Sequence, residues 1–512
     1  MLTLDLVMKF NSIVIVGGGS AGWMTAATLV KVFPDKKITV IEPEKQSGIG
    51  VGESTTQLMR RWQELLEIPN EDFITKFDGT NKLAIKFENF HKKGDSFYYP
   101  FGRIDQRHYN VQEWFAHQYL SKKPFEDFVN DMSPISECLE NNTVPEQIDF
   151  WKLDKDAAWH FDTHKFYTYL RDEYCIPRGV NVIKGEVYYT LLDEEKYIKG
   201  VILGNDVTVI GDLYFDCSGF NRVLIQDALK VPWVEFNNKT YTNSAWAAQR
   251  PYKDKEKELK LYTNSVAMSS GWVWEIPHWN SMGTGYNYSD EHIDKYDALD
   301  EFKRYLGPAV AEEMEFKHIK TRNGMSERMW VRNCVSIGLS GAFIEPLESN
   351  GLMSIHEFLL VFCNIAEGKD TLNSFDAHSF NHVCREQFLY FADFITLHYA
   401  MTARNDTAFW HDIQMQDFTD SPLLKQVYDI RGGSFWNLPK TLTFENLNAT
   451  LYMIAGHKIN PYTQVKLSNM KFWDEGFNMK TENLGSVIQR YNEIKKGLQF
   501  PSAVEYYGNY HR

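Results

Sequence analysis

Residues 12 to 42 constrain this chain more than any other stretch, because they spell a strand, a glycine turn, a helix and a second strand. Ser12 to Val16 (SIVIV) is short, β-branched and apolar on both faces, the pattern of a strand buried inside a parallel sheet. Gly17-Gly-Gly19-Ser20-Ala21-Gly22 then reads G-x-G-x-x-G, and the helical Met24 to Phe33 and the strand Lys37 to Ile41 complete a βαβ unit ending on Glu42. In such a turn the first glycine, Gly17, makes the strand-to-helix bend. The second, Gly19, lets a pyrophosphate approach the backbone, and the third, Gly22, permits close packing of the helix. The helix start, with Ser20 and Ala21, adds unpaired amides and a positive dipole end. Glu42 lies 20 residues past Gly22, where a ribose-binding acid belongs. The pattern points to a dinucleotide and leaves NAD and FAD undistinguished.

The bulk of the chain narrows the class. With 512 residues, 43% hydrophobic and 24% charged, it has the composition of a globular protein of one large or two intimate domains. No stretch approaches the roughly 18 apolar residues that cross a bilayer. The start runs into a strand by residue 12, so a cytoplasmic, membrane-free protein is expected. A formal charge of -14 disfavours a nucleic-acid partner. The six cysteines form no C-x-x-C pair, which argues against a structural metal and for reduced, buried thiols.

Strand signals recur at Gly179 to Val187, Lys199 to Leu203, Asp212 to Phe215 and Cys334 to Ile337, so the sheet is expected to be assembled discontinuously. Phe97 to Phe101 (FYYPF) breaks any helix at Pro100 and belongs to an excursion, about residues 70–165, that covers a site. From about Asp370 onward helical periodicity prevails, as in Phe380 to Leu397 and Leu423 to Ile430. The expected organisation is a cofactor-binding and catalytic core over 1–365 and a mainly helical region over 366–512 that caps the substrate. Two further loops tilt the cofactor toward FAD. Ile49 to Thr55 (IGVGEST) and Asp216-Cys-Ser-Gly219 both put flexible backbone beside carboxylates, suited to wrapping a long cofactor.

Three separated motifs carry a family resemblance. Gly271-Trp272-Val-Trp274-Glu-Ile276-Pro277 matches W-x-W-x-I-P, Phe343-Ile-Glu-Pro346-Leu-Glu348-Ser349-Asn350-Gly351 matches F-x-x-P-x-x-S-x-G, and Thr80-Asn-Lys82-Leu-Ala-Ile-Lys-Phe87 matches a lysine-bearing segment. In these the chain resembles the flavin-dependent halogenases of the tryptophan-halogenase family, most closely over its first 365 residues. The resemblance implies an α/β fold with a Rossmann-type FAD-binding sheet, like that of group A monooxygenases. It also implies a two-component reaction in which a separate reductase supplies FADH2, oxygen is consumed, and halide is oxidised to hypohalous acid that reaches a lysine beside an electron-rich aromatic substrate.

On that resemblance Lys82 and Glu348 are the expected catalytic residues, with Lys86, one helical turn later, as the competing lysine. Burial lowers the pKa of a lysine, and a desolvated ammonium hydrogen-bonds hypohalous acid, whereas a glutamate polarises the electrophile or takes the ring proton. Halide is expected against the backbone amides of Asn350 and Gly351. The expected cofactor set is Gly17, Gly19, Ser20, Ala21, Gly22, Glu42, Val51, Gly52, Glu53, Ser54, Asp216, Gly219, Gly338 and Ser349. Tyr99, Pro100, Phe101, Trp272, Trp274 and Pro346 are expected to line the substrate or the tunnel.

The chain also departs from the family pattern. Tyr99 stands where the substrate-stacking motif has histidine, Asn350 stands where the halide motif has threonine, and Phe435 to His457 lacks a match to the residues that grip free tryptophan. Tryptophan is therefore not assigned as substrate. Two rival readings share the same fold: a flavin monooxygenase that hydroxylates an aromatic substrate, and a non-catalytic FAD-binding protein. No second dinucleotide fingerprint marks a docking site for NAD(P)H, and homo-oligomerisation is left open.

Overall fold

The β-branched run at Ser12–Val16 forms a strand with its last four residues buried, and the glycine turn passes it to a helix over Ser20–Val32. Lys37–Glu42 returns parallel to the first strand, with Ser12 opposite Lys37 and Val16 opposite Ile41. These coordinates belong to a computed structural model that describes residues 7–44, 53–102, 111–236, 240–418, 425, 444–460 and 477–512. Val51 and Gly52, and Leu423 to Ile430 apart from Lys425, lie outside the described residues.

The described chain divides into two compact units, each gathered from three stretches: 1–79, 161–243 and 319–392 in one, and 80–160, 244–318 and 393–512 in the other. In the first, Asn181–Lys184 adds in parallel beside Lys37–Glu42. Leu213–Asp216 and then Cys334–Ser336 add in parallel on the other side of Ser12–Val16, and Trp330–Val331 closes the edge antiparallel. This six-stranded, mostly parallel sheet is of the FAD-binding Rossmann type, and its strands come from four separated regions, as the recurring strand signals imply. The Lys199 to Leu203 signal is a strand too, Ile198–Leu203, but it joins a separate three-stranded sheet with Val187–Leu192 and Thr208–Val209. Val14, Ile41, Val201, Tyr214 and Leu224 meet in one buried cluster. Burial stabilises by about 1.5–3 kcal/mol for each such large aliphatic side chain.

The second unit is built on an open sheet. Ser244–Arg250, Met282–Tyr288, Gly271–Pro277, Tyr262–Ala267, Ala84–Glu88 and Ser96–Pro100 hydrogen-bond in that order, antiparallel except where Tyr262–Ala267 meets Ala84–Glu88. Pro100 ends the strand at the sheet edge, where its missing N–H breaks no ladder. Phe302 and Ala298, on the Lys295–Leu306 helix, join Trp246, Val273 and Tyr286 in a core cluster. The Thr80 to Phe87 segment corrects one expectation: Lys82 and Lys86 are not a helical turn apart but lie on two short strands, Thr80–Lys82 and Ala84–Glu88. The Leu83 amide between them donates to the Leu261 carbonyl at 2.7 Å, so the local chain is held extended by its neighbour strand.

Among the described residues helices dominate after residue 373, with Ser374–Ala400, Phe444–Gly456 and Phe477–Gly497 the longest. Among the described residues no helix is long and apolar enough to cross a membrane. All six cysteines are buried free thiols.

Candidate active site

In the first unit the glycine turn is built by close approach. Gly17 has φ 125°, and a Cβ there would lie 2.2 Å from the Cys217 carbonyl oxygen; at Gly22 it would lie 1.8 Å from the oxygen of Gly17. Only glycine fits either position. Gly19 differs: it is exposed, and a Cβ on it would meet nothing within 4 Å. It caps the Ser20–Val32 helix, whose first turn carries no acidic residue, and Ser20 and Ala21 beside it are half-buried. Open space over first-turn amides fits the diphosphate of a dinucleotide. Gly219, at φ 69°, likewise borders open space, whereas a Cβ on Gly338 would press within 2.7 Å of the Ala21 methyl group.

The two acids at the strand ends are both buried and already engaged. Glu42 accepts a 2.5 Å bond from Lys184 and lies 3.7 Å from Arg171. Asp216 accepts from the Ser218 amide and hydroxyl and from the amides of Leu224 and Ile225. Burial raises its pKa against the pull of these four donors. Asp216 thus fixes the backbone on either side of Gly219.

Around the start of the Gly351–Ala366 helix, Pro346 is half-buried and Glu348, Ser349 and Asn350 are buried, while Gly351 is exposed. Ser349 sits at φ 59°, a left-handed conformation that costs a non-glycine residue of order 1 kcal/mol or more. It is held there by its amide, which donates to the Pro346 carbonyl at 3.0 Å, and by its hydroxyl, which donates to Ser54 Oγ at 3.0 Å. The preceding Glu53 points the same way: a Cβ on Gly351 would lie 4.0 Å from Glu53 Oε2. The structure therefore joins the Glu53-Ser54 pair of the second glycine loop to the Ser349-Gly351 turn. Burial pushes the Glu53 carboxyl up to about 7, with the nearby Thr163 hydroxyl offsetting part of the rise.

In the second unit Lys82 is fully buried, paired opposite Ala158, with Nζ 4.8 Å from the centre of the Phe101 ring. Phe101 is pinned at both backbone groups: its amide donates to Leu83 at 2.8 Å and its carbonyl accepts from Trp151 Nε1 at 2.9 Å. The Tyr99 ring meets Phe101 edge-on at 5.2 Å, and Pro100 pairs opposite Ala84. The competing Lys86 is paired with Glu88 at 2.8 Å and is half-buried. Trp272 and Trp274 project from one face of their strand with ring centres 6.0 Å apart. The Trp274 ring lies over Gly285, where a Cβ would come within 2.2 Å of it.

Sequence reasoning missed two supports of the lysine strand. His160, fully buried, has Nε2 2.9 Å from Thr263 Oγ1, and burial, the Lys82 charge and His278 hold its pKa well below the ordinary histidine value. Tyr507 accepts from the Asn81 amide at 2.7 Å and donates to Asn81 Oδ1 at 2.9 Å. No local signal marks Tyr507, since its partner is 426 residues away. His160 sits inside the Trp159-His-Phe-Asp162 run, and its strand pairing with Thr80 is what gives it meaning.

Comparison with known proteins places these features in context. A family model described as tryptophan halogenase matches residues 12–471. The chain is 32% identical over 450 residues to the tryptophan 6-halogenase ThaL of Streptomyces albogriseolus, covering 85% of this chain and 84% of that protein. It is 33% identical over 427 residues to the tryptophan 7-halogenase RebH of Lentzea aerocolonigenes, covering 78% of each. Among solved structures, VirX1 in its apo form superposes with a TM-score of 0.87 at 32% identity, covering 97% of this chain and 99% of that one. The tryptophan 6-halogenase SttH of Streptomyces toxytricini superposes with a TM-score of 0.86 at 27% identity, covering 97% and 99%.

Proposed function

The chain belongs to the tryptophan halogenase family of flavin-dependent enzymes, and from that premise we propose that it halogenates an electron-rich aromatic or heteroaromatic small molecule, with Lys82 and Glu348 as its catalytic residues. The observation that carries the assignment is Lys82 itself: a lysine with no solvent exposure, its ammonium over an aromatic ring and clear of the ion pair that occupies Lys86. Burying a cation is costly, and a lysine kept desolvated beside an aromatic ring is suited to a chemical role.

Bound as FADH2, delivered by a separate reductase and met by oxygen, the flavin supplies the oxidising power that converts halide to hypohalous acid. The residues of the chain bind and direct. Gly19 and the first-turn amides after it take the diphosphate, Glu42 stands at the ribose end, and Asp216 holds the loop carrying Gly219. Lys82 donates a hydrogen bond to hypohalous acid and sharpens its halogen as an electrophile. Neutral His160 carries no second positive charge to oppose it. Phe101, with Tyr99 at its edge, offers the ring a flat apolar platform, and Trp272 and Trp274 fill space against water. Glu348 accepts the proton leaving the ring carbon once the halogen has added.

The relatives act on tryptophan by name, but Tyr99 and the unmatched stretch near His457 favour a different aromatic here. Reduced FAD, oxygen, bromide and a panel of indoles and phenols, read by product mass, test the reading. A gain of bromine is the expected outcome, and a gain of oxygen alone assigns the chain to hydroxylation instead. Glu348→Gln should lower turnover while leaving hypohalous acid release nearly intact.

A further inference from the structure

Asn350 is an unusual helix start. Only 2% of it is exposed, and among the described residues neither its amide nitrogen nor its amide oxygen has a hydrogen-bond partner. It does not cap the Gly351–Ala366 helix with its side chain either. A buried carboxamide without partners costs about 1–3 kcal/mol for each unmet group, so its donors and acceptor are set for something that arrives. What lies beside it is equally specific. The first-turn amides of a sixteen-residue helix have no intrahelical acceptors, Gly351 is exposed at that end, and the Glu53 carboxyl reaches to within 4.0 Å of where a Gly351 Cβ would stand. The Thr163 hydroxyl is near the same carboxyl and offsets part of the rise that burial imposes on it.

An anion suits the amides, but it could not share the space with a charged carboxylate: at about 4 Å two like charges repel by about 1 kcal/mol even in water and several times more in a protein interior. We propose that the side chains of Glu53 and Asn350 complete a halide site at this helix start, the Asn350 amide donating to the anion and Glu53 admitting it only while its carboxyl carries a proton. The inference rests on the halogenase reading and adds to it two side chains and a linkage between halide uptake and proton uptake. The carboxyl titrates near 7. The ionisable groups on the elements that meet here include Glu348 before the helix, His356 and Glu357 on it at 3.1 Å from each other, His164 and Lys165 on the Thr163–Tyr169 helix, with Lys165 3.6 Å from Asp78, and Arg60, Arg61 and Glu64 on the Met59–Leu66 helix, with Arg60 donating to Asn70 and Gln63. Burial is the largest influence on Glu53, and no cation among them is directed at it.

The test is bromide binding to the protein loaded with oxidised FAD, measured by calorimetry at constant ionic strength between pH 6 and pH 8. A site that requires a proton on a group titrating near 7 is about nine-tenths competent at pH 6 and one-tenth at pH 8, so Kd for bromide should rise about tenfold across that range. Glu53→Gln should bind bromide at both pH values about as the parent does at pH 6. Asn350→Ala should weaken binding about tenfold throughout and keep the tenfold pH dependence. Melting temperature and FAD retention report whether each variant is folded, and the parent profile needs no variant at all. A flat parent profile, an undiminished slope in Glu53→Gln, or parental affinity in Asn350→Ala overturns the inference. Bromide binding and oxidation with a flat profile would sink only this linkage, whereas no bromide binding at any pH would sink the halogenase reading with it.

Discussion

Replacing Lys82 with methionine separates function from stability, because product should fall by orders of magnitude while stability changes little. Methionine nearly matches the lysine in length and removes the charge together with its hydrogen-bond donors. The contact over Phe101, at 4.8 Å, is worth about 0.5–2 kcal/mol and is lost. Against that, an ammonium with no solvent exposure no longer has to be desolvated, a cost that runs to several kcal/mol in folded proteins. Relief from desolvation and the loss of the contacts made by the ammonium oppose one another, so the melting temperature should move by no more than a few degrees. Loss of a residue that activates the electrophile should instead cut halogenated product by about 10²–10⁴-fold. Lys86→Met is the internal control: its charge is half-exposed and paired with Glu88, so product should stay within about twofold. The assay is thermal melting alongside product mass from reduced FAD, oxygen and bromide. A Lys82→Met protein that melts several degrees lower while still making product would make Lys82 a structural cation, and the reasoning would be wrong.

Three further outcomes follow from the geometry. Gly22→Ala forces a Cβ to within 1.8 Å of a backbone oxygen and should prevent stable folding, whereas Gly19→Ala meets open space and should fold normally but lose FAD affinity by tenfold or more, as flavin fluorescence titration would report. Tyr507→Phe removes both bonds to Asn81 and should cost about 1–3 kcal/mol in chemical denaturation, with kcat falling more than KM rises because the Lys82 strand loses its register. His457 is buried with its pKa held well below the ordinary value by burial and by His398 and His91, so it is neutral in the fold but protonates near 6.5 once unfolded. Its contribution is therefore complete above about pH 6.5 and is lost as pH falls toward the folded pKa; His457→Leu should make the acid limb of the melting profile shallower.

The nucleotide half of the molecule was legible because its signals are local. Ser12–Val16, Leu213–Asp216 and Cys334–Ser336 are short, buried runs that read as strands of a parallel sheet without any distant partner, and Gly17 and Gly22 are readable because only glycine fits such close turns. The lysine segment was found by motif but misjudged in conformation. Nothing within Thr80 to Phe87 announces that Leu83 will bond to Leu261, and that distant pairing decides strand over helix. His160 and Tyr507 were missed for the same reason, since their meaning lies in residues far along the chain. Glu53 was readable as part of a glycine loop, but not as an acid that titrates near neutrality, because desolvation is a property of the packed state.

The clasp of Tyr507 on Asn81 sets an order of events during synthesis. The Asn81 amide leaves the ribosome 426 residues before the hydroxyl that receives it, a wait of about 20 to 90 seconds at 5–20 residues per second. Until then the strand bearing Lys82 lacks its last tether, so a nascent or truncated chain that has already formed its nucleotide fold would not yet hold the lysine in place. On the proposed role of Lys82, the end of the enzyme that receives the oxidant is thus finished last, which limits the time in which an incomplete chain could turn that oxidant on itself.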